Sequence, residues 1–217
     1  MQFHPDKQTI SDINMKDFVF FGSPIAHYEV SMSIVDDLNQ IADSILAKGT
    51  IPPRIDYSTK LASAVDKEFS IPMNLIPDIK EKLEEYSLDY HRRFNCATDS
   101  QTSRVKMTLQ ACWIVSQIAG DWNYLHSHAG DISGVLYLKI PKCMHQGIDQ
   151  SSKKALMPGG ITFTEGRGGR YQRSSFSVVP KISSLYLFPS SLLHTVYPFF
   201  GDEERRSFSF NVDVKSF

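Results

Sequence analysis

The stretch NYLHSHAGDISGVLYLKIP, residues 123–141, joins two closely spaced histidines to an apolar segment. If its first part is extended, His126 and His128 project from the same side of the backbone, because alternate residues of a strand share a face. The following GVLYLKI is rich in branched and aromatic residues and predicts a strand. The stretch therefore predicts a β structure that can carry two imidazoles into one pocket.

A third histidine, His194, lies in LYLFPSSLLHTVYP, residues 185–198. It follows a predicted strand and a turn-like PSSLL, where the backbone can redirect a side chain inward. Zinc, iron, copper and nickel all accept imidazole ligands, so ligand type alone does not choose a metal. Spacing alone also leaves open that the three histidines are ordinary polar residues of the surface.

Composition places the chain among ordinary globular proteins. Its 217 residues are 41% hydrophobic and 22% charged, which favours one domain without extensive disorder. A net charge of -1 provides no general attraction to nucleic acid, so nucleic-acid binding is disfavoured. No apolar run approaches the roughly 20 residues that span a bilayer, and no secretory signal pattern is evident.

Cysteine usage is consistent with a reducing compartment. Cys96, Cys112 and Cys143 are widely spaced and include no CxxC pair, so neither a disulfide framework nor a cysteine zinc cluster is expected. These features together predict a cytoplasmic protein without a membrane partner.

Two amphipathic helices are predicted in the first half of the chain. Residues 31–48 place apolar side chains at helical spacing, with Ser31 or Ser33 as the N-cap and Gly49 as the stop signal. Residues 76–94 have Pro77 in the first turn and basic residues in the last turn, where they suit the helix dipole.

After residue 102 the pattern changes to short strands. They are VKMTLQACWIVSQ (105–117), GVLYLKI (134–140), GITFT (160–164), SSFSVVP (174–180), SLYLFP (184–189) and RSFSFNVDV (206–214). Many short strands in succession predict an antiparallel sandwich or barrel, onto which the helices would pack. The segment 145–169 is predicted to be a long loop around the GITFT strand.

Three motifs in this order, WNYLHSHAGDISGVLYLKIP, LYLFPSSLLHTVYP and RRSFSFN, resemble the non-haem iron(II), 2-oxoglutarate-dependent oxygenases. The chain is most similar to their small bacterial and phage branch. The resemblance implies a mainly β protein with N-terminal helices (α+β), built on a double-stranded β-helix, the jelly roll shared with cupins. It implies a single oxygenase domain over 1–217, with a helical part at 1–100 that packs on a barrel core at 101–217.

The resemblance also implies the chemistry. Fe(II) would be held by His126, His128 and His194, and 2-oxoglutarate and O2 would be the cosubstrates. Oxidative decarboxylation of 2-oxoglutarate to succinate and CO2 would accompany hydroxylation of a substrate, a protein side chain or a metabolite.

The closing motif provides candidates for binding the cosubstrate. Alignment of RRSFSFN with the family pattern puts Arg205 at the cation that pairs with the distal carboxylate of 2-oxoglutarate, since a guanidinium fits a carboxylate bidentately. Ser207 would donate a hydrogen bond from the same face, and Arg206 would point the other way. Tyr137 is a further candidate donor to 2-oxoglutarate, although an aromatic residue in a strand is more often part of the core.

One position departs from the family pattern, because the superfamily usually has an aspartate or glutamate where this chain has His128. Either three histidines bind the metal, or Asp131 replaces His128 as an anionic ligand. The shared face of His126 and His128 favours the histidines, and Asp131 would then be a turn residue. A cupin-like metal-binding protein that does not turn over 2-oxoglutarate is the alternative function, and it would not need Arg205. The sequence leaves the prime substrate and the oligomeric state open.

Overall fold

Two antiparallel β-sheets form the framework of the protein in a computed structural model. The model describes residues 16–18, 22–59, 61, 63–95, 104–145, 157–166, 168 and 174–217. The strands are β1 (Lys16–Phe18), β2 (Ile25–Glu29), β3 (Lys67–Ser70), β4 (Val105–Gln117), β5 (Asn123–His126), β6 (Ile132–Lys139), β7 (Ile161–Thr164), β8 (Ser175–Val178), β9 (Ser184–Pro189), β10 (Leu193–Val196) and β11 (Arg205–Ser216). The helices are α1 (Met32–Leu46) and α2 (Pro77–Phe94), with short 3-10 turns at Met73–Leu75 and Lys142–His145.

The larger sheet has the strand order β1-β2-β9-β6-β11-β4-β3, and the smaller sheet has the order β5-β10-β7-β8. Apolar side chains from β6 and β9 of the large sheet pack against those from β7 and β10 of the small sheet, which fixes the two sheets face to face. The expected mainly β architecture with two helices is therefore confirmed.

Both helices pack on the outer face of the large sheet. Their buried residues join the sheet in the largest apolar cluster, which includes Leu38 and Ala42 of α1 and Ile79 and Leu83 of α2. Both helices lie where the sequence places them, within two residues at each end. Ser31 is the N-cap of α1, although its side chain does not cap the helix, and α2 ends in the basic segment His91–Arg93.

Strand β11 contributes side chains to both faces of the large sheet. It pairs with β4 on one side and β6 on the other. Phe208 and Phe210 are fully buried in the cluster beneath the helices. Because side chains alternate between the faces of a strand, Arg205, Ser207 and Ser209 turn toward the space between the sheets.

The first hundred residues contribute strands as well as helices. β2 pairs with β9, and β3 pairs with β4, so the N-terminal part extends the large sheet on both sides. Neither β2 nor β3 is among the strands predicted from the sequence, which all lie after residue 102. Much of the predicted loop at 145–169 lies outside the described residues. No described helix is long and apolar enough to cross a membrane.

Candidate metal centre and cosubstrate pocket

Three histidine rings meet at one end of the space between the sheets. The ligand nitrogens of His126, His128 and His194 all lie within 4.8 Å of one another. The ring centroids are 4.9 Å apart for His126 and His128, 4.3 Å for His126 and His194, and 5.0 Å for His128 and His194. The two separate motifs of the sequence therefore converge on one point.

The small sheet brings two of these histidines together. His126 ends β5 and is the direct cross-strand partner of His194 in β10. His128 lies beyond the end of β5, so the expectation of one strand carrying both of the first two histidines holds only for His126. The backbone amide of His128 donates to the carbonyl of Ser190 at 2.9 Å, which attaches this turn to the segment before β10.

Hydrogen bonds to the backbone orient two of the rings. Nδ1 of His126 lies 2.5 Å from the carbonyl oxygen of Tyr124, and Nδ1 of His194 lies 2.9 Å from that of Leu192. A carbonyl only accepts, so each Nδ1 carries the proton and Nε2 presents its lone pair. Such a bond at one ring nitrogen is the usual support for a histidine that binds a metal through the other.

Burial keeps the rings neutral. Desolvation lowers the pKa of His128 to about 3, and the nearby His194 and His126 contribute. Desolvation also lowers the pKa of His194 to about 4 and lowers the pKa of His126, in each case against a smaller opposing effect of the backbone hydrogen bond. Neutral imidazole is the form that binds metals, so no proton has to leave these rings near neutral pH.

Asp131 takes a different position. Its carboxylate accepts a hydrogen bond of 2.7 Å from the backbone amide of Val214 in β11. The backbone amide of Asp131 donates to the carbonyl of Val212, and its carbonyl accepts from the amide of Ser190. Asp131 does not belong to the group of potential metal ligands formed by the three histidines among the described residues.

Polar residues of the three sequence motifs meet beside the turn that contains His128. The hydroxyl of Ser133 lies 2.9 Å from both the hydroxyl of Ser190 and the side-chain oxygen of Asn211. Ser190 also accepts from the amide of His128 and donates its own amide to the carbonyl of Asp131. These contacts join β6, β11 and the turn before β10, and they hold the backbone on which His128 lies.

A cavity that opens to solvent extends from the histidines between the sheets. Residues of both sheets line it, and the polar ones besides the histidines are Glu68, Asn123, Arg205, Ser207 and Ser209. Apolar side chains such as Trp113, Val135 and Phe188 form the rest of the wall. We call this space the central cavity.

Arg205 is the cation of the central cavity. It is only 1% exposed, and its Nη1 donates to Oε1 of Gln117 on the neighbouring strand β4. Its guanidinium carbon lies 5.0 Å from the ring centroid of Tyr137. Among the described residues, Nε of Arg205 and the hydroxyl of Tyr137 have no hydrogen-bond partner. Buried polar groups are rarely left unpaired, and Arg205, which lines the cavity, therefore has a donor available to a ligand.

Ser207 and Tyr137 are cross-strand partners in β11 and β6. Ser207 lines the central cavity, as the alternation of β11 predicts, whereas Tyr137 is fully buried behind the guanidinium of Arg205. Burial raises the pKa of Tyr137, so its hydroxyl keeps the proton that it could donate. Arg206 points away from the cavity, as expected, and contacts Glu204 together with Asn39 and Asp43 of α1.

Sequence reasoning missed one acid of the cavity wall. Glu68 of β3 is fully buried, and its carboxylate accepts from the hydroxyl of Ser63 at 2.6 Å and from the side-chain amide of Asn123 at 3.4 Å. Desolvation raises its pKa to about 7, and the charge of Asp121 acts in the same direction. The short segment KEFS contains no pattern that would predict a buried glutamate.

Comparison with known proteins agrees with this geometry. Residues 111–211 match the model of a family described as "Putative 2OG-Fe(II) oxygenase". No curated protein gives a significant sequence match.

Solved structures share the fold at low sequence identity. A prolyl-4-hydroxylase from Pseudomonas putida aligns with a TM-score of 0.56 and 16% identity, over 86% of this chain and 91% of the other. HygX from Streptomyces hygroscopicus, solved with nickel, 2-oxoglutarate and hygromycin B, aligns with a TM-score of 0.53 and 10% identity, over 87% and 82%. A prolyl hydroxylase from Trichoplax adhaerens, solved with a peptide fragment of hypoxia inducible factor, aligns with a TM-score of 0.52 and 12% identity, over 89% and 83%.

The family match and the fold confirm the resemblance that the three motifs indicated. The protein has the double-stranded β-helix of the 2-oxoglutarate-dependent oxygenases, and residues 111–211, which contain the three motifs, match the model of the 2OG-Fe(II) family. The metal and the cosubstrate of this family are Fe(II) and 2-oxoglutarate.

Proposed function

We propose that this oxygenase binds Fe(II) through His126, His128 and His194 and hydroxylates a C–H bond of its substrate, with conversion of 2-oxoglutarate to succinate and CO2. The observation that carries the proposal is the convergence of three potential ligand nitrogens within 4.8 Å of one another, in the same cavity as a buried guanidinium. Either feature alone would be compatible with other functions.

The donor set fits a ferrous ion. Imidazole suits iron, and three protein ligands on one side of an octahedral ion leave positions open for other molecules. The bound iron supplies the redox chemistry that activates O2, and the protein supplies binding and orientation. In this chain the carbonyls of Tyr124 and Leu192 fix two rings, and Ser190 anchors the backbone of the third.

Arg205 is the proposed partner of the distal carboxylate of 2-oxoglutarate. A buried guanidinium with a free Nε has a donor to offer an anion, and a charge-assisted bond in a buried site is strong. Ser207 lies on the same face of β11 and can add a hydroxyl donor. Tyr137 keeps its proton and lies against the guanidinium, where its hydroxyl can serve the same carboxylate or support Arg205.

The ligand set is proposed without a carboxylate. The Asp131 side chain is engaged by the amide of Val214, and using it as a ligand would break that bond and move the turn. Three neutral imidazoles leave the charge of the iron to be balanced by the dianionic cosubstrate. His128 is therefore proposed as the third ligand.

The substrate is proposed only as a class, a protein side chain or a metabolite. The central cavity opens to solvent, so a side chain or a small molecule can reach the histidines from outside. Among the similar structures, one holds a peptide and another holds hygromycin B, which shows that this fold accepts both classes in other proteins.

The proposal is tested by anaerobic addition of Fe(II) and 2-oxoglutarate, monitored by the weak visible charge-transfer band of chelated 2-oxoglutarate. The wild-type protein should show the band, and His126→Ala, His128→Ala and His194→Ala should each lose it. Asp131→Asn is the matched control, because an amide oxygen can still accept from Val214 and the band should remain. Arg205→Ala should retain iron but lose the band at a concentration of 2-oxoglutarate that saturates the wild type.

Two results would overturn parts of this assignment. A band that survives removal of His128 but not substitution of Asp131 would make the aspartate the ligand. Iron and band that are both unchanged in Arg205→Ala would remove the assigned role of the guanidinium.

A further inference from the structure

A row of buried polar side chains leads away from Arg205 through the wall of the central cavity. Nη1 of Arg205 donates to Oε1 of Gln117, and Nε2 of Gln117 donates to Oδ1 of Asn123 at 3.2 Å. Nδ2 of Asn123 lies 3.4 Å from Oε1 of Glu68, whose other oxygen accepts from the hydroxyl of Ser63 at 2.6 Å. We call the link from Glu68 through Asn123 and Gln117 the amide relay.

The direction of every hydrogen bond in the amide relay follows from its two ends. A guanidinium has only donors, so Gln117 must present its oxygen to Arg205. The amide nitrogen of Gln117 is then directed at the oxygen of Asn123, and the nitrogen of Asn123 is directed at Glu68. Glu68 therefore has to accept at the far end, which a carboxyl group does in either protonation state.

The environment of the amide relay offers few other partners. Arg205, Gln117 and Glu68 are each no more than 1% exposed, and Asn123 is 8% exposed. Glu68 forms no salt bridge with any part of the chain that the structure describes. Desolvation by burial raises its pKa to about 7, and the charge of Asp121 acts in the same direction. Burial of a carboxyl group without a cation costs stability, and a functional role would offset that cost.

We propose that Glu68 is a positioning residue for the cosubstrate: through the amide relay it fixes the guanidinium of Arg205 in the orientation that receives the distal carboxylate of 2-oxoglutarate. The inference rests on the proposed binding of that carboxylate by Arg205. Without an acceptor at position 68, Asn123 would lose the partner that sets its amide, and Gln117 could present its nitrogen to Arg205. A side chain that is already held in its binding geometry loses less conformational entropy when the ligand binds.

Two ligands separate this role from a general structural one. 2-Oxobutyrate has the 2-oxo acid group of 2-oxoglutarate but no distal carboxylate, so its binding does not depend on Arg205. Titration calorimetry of the anaerobic Fe(II) protein with each ligand measures both affinities. Glu68→Ala should weaken 2-oxoglutarate by about tenfold, the size expected when a charge-assisted hydrogen bond is lost. The affinity for 2-oxobutyrate should stay within about twofold, which is below the effect of one net hydrogen bond.

Conservative and control variants sharpen the test. Glu68→Gln keeps an oxygen that accepts from Asn123 and should restore most of the 2-oxoglutarate affinity. Gln117→Leu removes the link next to Arg205 with a side chain of similar size, and it should weaken 2-oxoglutarate binding in the same way. It serves as the test if Glu68→Ala does not fold. Glu204→Gln alters a glutamate that bonds Arg206 instead of Arg205, and it should leave both affinities unchanged.

The inference is overturned if a folded Glu68→Ala or Gln117→Leu variant binds 2-oxoglutarate like the wild type. It is also overturned if both ligands weaken equally, because that pattern is general loss of the cavity. A wild-type Fe(II) protein that binds neither ligand contradicts the proposed function itself, and the inference with it. Wild-type binding of 2-oxoglutarate well above 2-oxobutyrate, unaltered by the variants, contradicts the relay alone.

Discussion

Basic and acidic titratable side chains, the histidines and Glu68, line the central cavity. Burial lowers the pKa of His128 to about 3 and that of His194 to about 4, whereas it raises the pKa of Glu68 to about 7. All three shifts favour the neutral form, because a cavity wall of low polarity penalises charge. In the metal-free protein the histidines destabilise the fold as the pH falls, and Glu68 destabilises it as the pH rises.

The contribution of Glu68 can be isolated with Glu68→Gln. In the unfolded chain the carboxyl group loses its proton near pH 4.5, and in the folded protein near pH 7. Between these values the folded state holds a proton that the unfolded state has lost, so the free energy of unfolding decreases as the pH rises. Glutamine does not titrate. Between pH 5 and pH 8 the wild type should therefore lose about 2 kcal/mol relative to Glu68→Gln.

Urea unfolding of the metal-free proteins at both pH values measures this difference, and the histidine contributions are common to both proteins. Glu204→Gln is the control. Burial alone would raise the pKa of Glu204, but hydrogen bonds from Arg206 and Ser116 outweigh that effect and lower the pKa, so this acid should not titrate in the same range. A constant difference between the wild type and Glu68→Gln from pH 5 to pH 8 would show that Glu68 does not titrate as stated.

Strand β11 carries two adjacent arginines, one proposed to bind the cosubstrate and one that stabilises the fold. Arg205 turns into the central cavity, and Arg206 turns toward α1, where its guanidinium bonds Glu204, Asp43 and Asn39. Alternation along a strand puts neighbours on opposite faces, so the two cations have different partners and different roles.

This division predicts opposite phenotypes for matched substitutions. Arg206→Ala should lower the free energy of unfolding by about 2 kcal/mol, because Glu204 loses its two charge-assisted hydrogen bonds from the guanidinium and keeps only those from Lys139 and Ser116. Its affinity for 2-oxoglutarate should remain near that of the wild type. Arg205→Ala should instead lose affinity for 2-oxoglutarate. Urea unfolding and calorimetry on both variants provide the comparison, and a larger loss of cosubstrate affinity in Arg206→Ala than in Arg205→Ala would refute it.

Sequence patterns predicted both helices and most of the strands after residue 102. α1, α2, β4 and β9 were placed well because each has many residues in register with one period or a run of apolar side chains bounded by turns. Of the four-residue strands, β7 and β8 were predicted, and β5 was anticipated as an extended stretch that was also expected to contain His128. β10 was missed, because LHTV is short and directly follows a turn. His126 and His194 were still found, because the surrounding motifs indicated them.

At the scale of the whole molecule, residues distant in sequence meet because the two sheets close on each other. β11 lies between β4 and β6, which brings Arg205 beside Gln117 and Ser207 beside Tyr137. The order of three motifs predicted the histidines and the arginine through resemblance to a family. It did not predict Glu68, because that residue reaches the cavity only when β3 adds to the edge of the large sheet. A sequence with no homologue beside it does not reveal such an addition.

The central claim is that three imidazoles bind one ion next to a guanidinium that binds 2-oxoglutarate. An anaerobic crystal structure with Fe(II) and 2-oxoglutarate, with the iron located by its anomalous scattering, tests this claim most directly. We expect one iron peak within bonding distance of His126, His128 and His194, with the distal carboxylate against Arg205. A peak bound by Asp131 in place of His128, or a carboxylate that does not approach Arg205, would contradict the account.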